Sequence, residues 1–338
     1  MFYIGCHLSK KKGMLIMAEA AASIGAKAIQ FFTRNPRGGH EKAIDPRDLQ
    51  RFNVFTKEHG IKYLLAYAPY TLEPASADTK QHDFAAMVMA EDLAQLEAIP
   101  GQGYLLRPGS ALDIAAEEAM KNLAATLNET ITPTQSTTVL LYTMPGSGTQ
   151  ICSQFEELAQ VIEQVNLKDK VGVCLDASAV WAAGYDIVND LDGVLAQFDK
   201  AIGLDKLLAV HLNDCKEACG AHADRHARIG EGAIDSRRSA RSPTTQPSRK
   251  SHSTWKNRST HCRSTAKDIH SLHGGASRVV RHLSASAERV RQRGDSLPTK
   301  FIFNKTRAKQ RRTKEPAECR FLSREAGNLV SHPLHWSS

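Results

Sequence analysis

Through residue 235 the chain alternates short apolar or β-branched runs with longer stretches of helical period, and each apolar run ends in polar or small residues. Seven runs read as strands: 2–8, 28–34, 63–70, 103–110, 137–143, 171–178 and 207–214. Between them, helical text covers 13–26, 45–60, 80–99, 114–127, 153–165 and 188–203, and several of these stretches close at Gly, as helix C-caps commonly do. Strand and helix alternating at this spacing imply parallel strands joined by right-handed crossovers, either a doubly wound sheet or a closed α/β barrel. No GxGxxG and no GxxxxGK[ST] follows any strand, which disfavours the nucleotide-binding sheet. His7, Arg34, Tyr70, Arg107, Asp176 and His211 stand at the C-terminal ends of the runs, where a barrel assembles its active site. The pattern therefore predicts a TIM-type (β/α)8 barrel.

Composition splits the chain in two. Residues 1–235 carry 21 Lys and Arg against 30 Asp and Glu, a net charge of −9; residues 236–338 carry 23 against 6, a net of +17. The overall +8 describes neither part, and by itself is no argument for a nucleic-acid partner. Seven cysteines without disulfide spacing, an N-terminus without a long apolar core and no apolar run of roughly 18 residues predict a reduced, cytoplasmic chain without a membrane span. Cys215, Cys219, His222 and His226 have too short a central gap for a zinc finger.

The strand ends IGCHLS, FFTRNPRGG, AYAPYTL, PGS, VGVCLD, AAGYD and HLND, and above all DRHARIGEG, resemble the endonuclease IV family from Met1 to about Ile234. The resemblance implies a zinc-dependent TIM barrel of DNA base-excision repair that hydrolyses the phosphodiester 5′ to an abasic site in duplex DNA, using three zinc ions. Clustered cations suit that chemistry, because they activate a water and stabilise both the attacking and the leaving oxygen. Sugar-isomerase-like barrels are a weaker alternative, since DRHARIGEG and FFTRNPRGG point to the repair branch.

Carried over position by position, the metal-ligand set divides. Asp176, His211, Asp224 and His226 match ligand positions, whereas Tyr67, Arg107, Tyr142 and Ala179 stand where the family has ligands. One zinc position, matched by Tyr67, Arg107 and Tyr142, loses its whole set. Two ligands remain for each of the others, where a stable site wants three or four. Reduced or absent zinc, and activity lost or severely impaired, are the expectations. Arg34, Arg37 and Tyr70 match positions at the DNA groove, arginine for phosphate and tyrosine for stacking or wedging. A non-catalytic abasic-DNA or nucleic-acid binding protein using Arg37 and Tyr70 is the alternative function.

After GEGAID the alternation stops and the text becomes rich in Ser, Arg, Thr and His without a period. Reverse translation of 251–256 read two nucleotides later forces one glutamate codon from Trp255 and Lys256 and permits PFYLE, which looks like the family's eighth strand. Residues 236–338 are thus expected to be an out-of-frame translation: a basic, disordered tail behind a barrel truncated after about seven βα units, with two parallel edges left unpaired.

Overall fold

The structure is a computed structural model, and it describes residues 2–35, 43–99, 102–227, 229–234 and 300–304. Seven strands follow the predicted order: β1 (Phe2–His7), β2 (Ala28–Phe32), β3 (Tyr63–Tyr67), β4 (Gly103–Leu106), β5 (Thr138–Tyr142), β6 (Val171–Asp176) and β7 (Leu207–Leu212). All neighbours pair in parallel, as expected of a TIM-type barrel. Each strand stops before the end of its apolar run, so the loops beyond carry the functional side chains. Two short strands, β8 (Asp214–Cys215) and β9 (His226–Ala227), form a separate antiparallel pair beyond β7.

The helices are α1 (Met14–Ser23), α2 (Pro46–Glu58), α3 (Thr79–Leu96), α4 (Ala116–Thr130), α5 (Phe155–Glu163), α6 (Ala177–Ala182) and α7 (Leu191–Ala201). Local chemistry sets several of their starts. Asp45 caps α2 with Pro46 in its first turn, Asp78 caps α3 through the amides of Lys80 and Gln81, and Asp190 caps α7 through Gly193. Helix α6 departs from the sequence pattern: the run 171–178 reads as strand throughout, but Asp176 bends the chain by accepting the Ser178 and Ala179 amides.

The sheet closes. The expectation of two open edges is corrected, because β10 (Lys300–Asn304) pairs in parallel with both β1 and β7. Its text, KFIFN, is a short apolar run within the basic segment, and strand pairing there satisfies two rows of backbone groups that would otherwise face no partner. The rest of 236–338 lies outside the described residues, including the predicted disorder.

Alternation along the strands sorts the core into two shells. Leu64, Ala66, Leu106, Val139, Leu141 and Val173 face the helices, and Tyr63, Leu65, Leu105, Leu140, Cys174 and Ala209 fill the barrel interior. The interior is close-packed: a Cβ on Gly103 would lie 2.9 Å from Leu65 Cδ1 and 3.1 Å from Leu140 Cδ1. The same parity places Gln30, Tyr67, Arg107, Tyr142, Asp176 and His211 on the interior side at the C-terminal ends. Among the described residues no helix is long and apolar enough to cross a membrane.

Candidate metal centre

Asp176, at the end of β6, is the hub of the barrel mouth. Its carboxylate is fully buried. Oδ2 accepts from the Tyr142 hydroxyl at 2.5 Å and from Asn213 Nδ2 at 2.6 Å. Oδ1 accepts from the backbone N–H groups of Ser178 at 3.0 Å and Ala179 at 3.1 Å. Four donors on one carboxylate compensate a charge that burial alone would make very costly.

Asp224 and His226 reach this carboxylate from the segment after β7. Strands β8 and β9 hold that segment in place, with Cys215 opposite His226. Asp214 pins the following turn by accepting from the amides of Gly230, Gly232 and Ile234 at 2.8–3.0 Å. Through this hairpin, His226 Nε2 lies 2.9 Å from Asp224 Oδ1 and 3.8 Å from Asp176 Oδ1, and Ser178 Oγ donates to Asp224 at 2.6 Å. One ligand atom each from Asp176, Asp224 and His226 fall within 4.8 Å of one another. Tetrahedral zinc with bonds of about 2.0–2.1 Å sets its ligand atoms roughly 3.4 Å apart, so two carboxylates and an imidazole at these spacings fit one divalent cation.

His211, on β7, is fully buried beside the same hub, with Nδ1 3.3 Å from Asp176 Oδ2 and Nε2 2.7 Å from Gln30 Oε1. The bond between Nε2 and Gln30 orients the ring so that Nδ1 faces the carboxylate, the kind of orienting bond that metal-ligating histidines use. The oxygen it faces already accepts from Tyr142 and Asn213. A cation shared by Asp176 Oδ2 and His211 therefore requires those donors to give way.

Around β3–β5 the mouth is differently made. Tyr67 and Tyr142 are buried and stacked at 6.3 Å, Phe32 stacks on Tyr67 at 5.2 Å, and the half-buried Arg107 lies 5.8 Å over the Tyr142 ring. Burial, reinforced by Asp176, pushes the Tyr142 phenol well above its ordinary pKa; burial raises Tyr67 as well, against the opposing pull of Arg107. Both hydroxyls stay protonated at neutral pH, and Tyr142 acts as a donor to the hub. The residues present at this position do not fit a metal: a guanidinium and two neutral phenols offer no anionic or imidazole ligand. Ala179 sits buried in α6 and brings no ligand atom beyond its backbone.

The three residues expected at a DNA groove separate. Arg34 is turned inward: its Nε and Nη2 fork onto Asp92 Oδ1 at 3.0 and 2.7 Å, Nη2 reaches Glu91 at 3.1 Å, and Tyr104 donates to Asp92 at 3.0 Å. The guanidinium is 5% exposed, so it ties the end of β2 to α3 instead of facing solvent. Tyr70 is exposed at 47%, edge-on to Phe32. Arg37 lies outside the described residues. Sequence reading missed the contributions of Gln30, Ser178, Asn213 and Asp214; the polar residues of HLND and VCLDAS were visible, but their convergence on one carboxylate was not.

A family model described as a xylose isomerase-like TIM barrel matches residues 18–241, so the chain is a protein of that barrel class. Over 234 residues it is 50% identical to the probable endonuclease 4 of Alkaliphilus oremlandii, a match that spans 69% of this chain and 83% of the relative. The probable endonuclease 4 of Methanosphaera stadtmanae is 42% identical over 69% of this chain and 85% of its own length. The chain belongs to the endonuclease IV family. The crystal structure of endonuclease IV from Thermus thermophilus superposes with a TM-score of 0.64, covering 96% of this chain and 98% of that one at 23% identity, which supports the fold.

Proposed function

We propose that the barrel mouth binds duplex DNA at an abasic site, and that hydrolysis of the phosphodiester 5′ to that site is lost or severely impaired. One observation carries the second half: the donors Tyr142 and Asn213 saturate Asp176 Oδ2, on the side where Tyr67, Arg107 and Tyr142 have displaced a full set of ligands. Asp176, Asp224 and His226 would hold a single zinc, with His211 as a neighbour. When bound there, the metal would supply Lewis acidity and an activated water. The residues of this chain do the rest: Ser178 orients Asp224, Asp224 orients His226, and the buried phenols exclude water from the β3–β5 side.

The test is nicking of a duplex carrying one abasic site by the purified full chain, with zinc measured on the same sample. No cleavage with at most one zinc per chain is the expected result; chelator-sensitive cleavage overturns it. The second reading, in which binding of abasic DNA without any metal is the chain's function, is favoured by the exposure of Tyr70 above the aromatic column. A gel shift that persists in chelator supports it. The same reading places the chain in the cytoplasm, beside the DNA on which it would act. We also read 236–338 as out of frame with 1–235; an uninterrupted reading frame in the locus overturns that reading.

A further inference from the structure

We propose that Arg107 is a phosphate-binding residue: its guanidinium, laid over the Tyr142 ring, takes a backbone phosphate of the nucleic acid at the position where the resemblance places a metal-ligating histidine. The inference deepens the DNA reading above and rests on it. Among the described residues no carboxylate forms a salt bridge with Arg107; the guanidinium lies 5.8 Å over the Tyr142 ring, and its charge reaches Tyr67 and Glu73. The acids nearby already accept hydrogen bonds from other donors. Asp176 holds four donors, Asp224 pairs with His226 and accepts from Ser178, and Glu73 Oε2 accepts from the Ser110 amide at 3.1 Å.

The residue is also pre-organised. It follows β4 at an inward position, Pro108 comes next, and the turn continues through Gly109 at a φ of 98°. The ring beneath it is fixed by burial and by the hydroxyl bond to Asp176. A guanidinium already held on an aromatic face loses little freedom when it forks onto two phosphate oxygens. Its charge can meet a phosphate as a cation would, but a guanidinium offers no open coordination position for water. Recognition is thereby separated from hydrolysis.

Fluorescence anisotropy of the full chain with a duplex bearing a tetrahydrofuran abasic analogue, in chelator, tests the assignment. R107A is expected to weaken binding by roughly 10-fold and to lower the salt slope by about one, the signature of a lost phosphate contact. R107K, which keeps the charge and loses the fork, is expected to lose less, and it serves as the readout if circular dichroism shows R107A misfolded. Affinity and slope unchanged in both variants overturn the proposal. A parallel titration with inorganic phosphate, read by tyrosine fluorescence, separates the two claims. Arg107-dependent phosphate binding without duplex binding sinks the DNA reading and keeps the anion site. Duplex binding indifferent to Arg107 does the reverse, and failure of both titrations sinks both.

Discussion

Around β6–β9, Asp176, Asp224 and His226 converge at distances that fit a cation, whereas around β3–β5 the same mouth holds Tyr67, Arg107 and Tyr142, which fit none. Both regions rest on one barrel, and the strand parity that aims side chains inward is identical in each. What differs is how charge is compensated. In the first, acids and an imidazole face one another at ligand spacing; in the second, the Tyr142 hydroxyl donates to the buried carboxylate and a guanidinium lies on the Tyr142 ring. One barrel can therefore carry two chemically different halves of its mouth on the same core, provided that the side chains fill the volume and satisfy the buried carboxylate between them.

The comparison breaks most sharply if the second region is turned back into the first. Combining Y67H, R107H and Y142E would install two imidazoles and a carboxylate there, and it should raise bound zinc by at least one equivalent, measured by plasma mass spectrometry. If that region alone limits the chemistry, abasic-site nicking should rise by roughly 100–1000-fold, the scale of losing a preorganised electrostatic group. No change in zinc content would mean that the barrel mouth no longer has room for the ion.

Next in size is the hub. D176A leaves the Tyr142 hydroxyl and Asn213 amide without their acceptor and unties the start of α6, so about 3–5 kcal/mol of stability should be lost, read by urea denaturation. A loss below about 1 kcal/mol, the size of one ordinary hydrogen bond, would show that Asp176 is not the structural centre of both regions. Y142F is smaller and more telling. Removing one hydroxyl bonded to a charged group should cost about 1.5–3 kcal/mol. It also frees a lone pair of Asp176, so zinc should bind more tightly to Y142F than to the unaltered chain, as measured by competition with a chromophoric chelator.

Much of the fold was legible before any coordinates. All seven strands from 2 to 212 fall inside the apolar runs, because a strand buried on both faces needs a continuous apolar stretch and little else. The runs overshoot the strand ends, since Tyr70 and Ser110 extend the apolar or small-residue text but belong to loops. Arg34 shows the limit for the site. Its place after β2 resembles a phosphate contact, yet Asp92 is 58 residues away in sequence, and nothing local announces that the two are joined. The hairpin β8–β9 was equally silent, because two-residue strands have no period to detect.

The smallest expected effect concerns the half-buried Glu73. Burial raises its carboxyl above the usual range, opposed by the Ser110 amide and by the charge of Arg107. A carboxyl raised in the folded state contributes stability below its unfolded pKa and loses it as pH rises through the folded value. R107A removes one of the opposing influences, so the Glu73 titration followed by NMR should move further upward, and the fall in stability with rising pH should extend to higher pH. An unchanged titration would place Arg107 too far from Glu73 to share its field.

The sequence by itself determined the alternation of strand and helix and the barrel class, because these depend on local period and on residue identity. Only the tertiary structure decided that Arg34 is buried on Asp92, that Tyr142 donates to Asp176, that Arg107 lies on the Tyr142 ring, and that Lys300–Asn304 closes the sheet. Each of these joins residues distant along the chain. Hydrogen bonds, ion pairs and strand pairing are satisfied by whichever partner the packed fold brings near, and no local pattern records that choice.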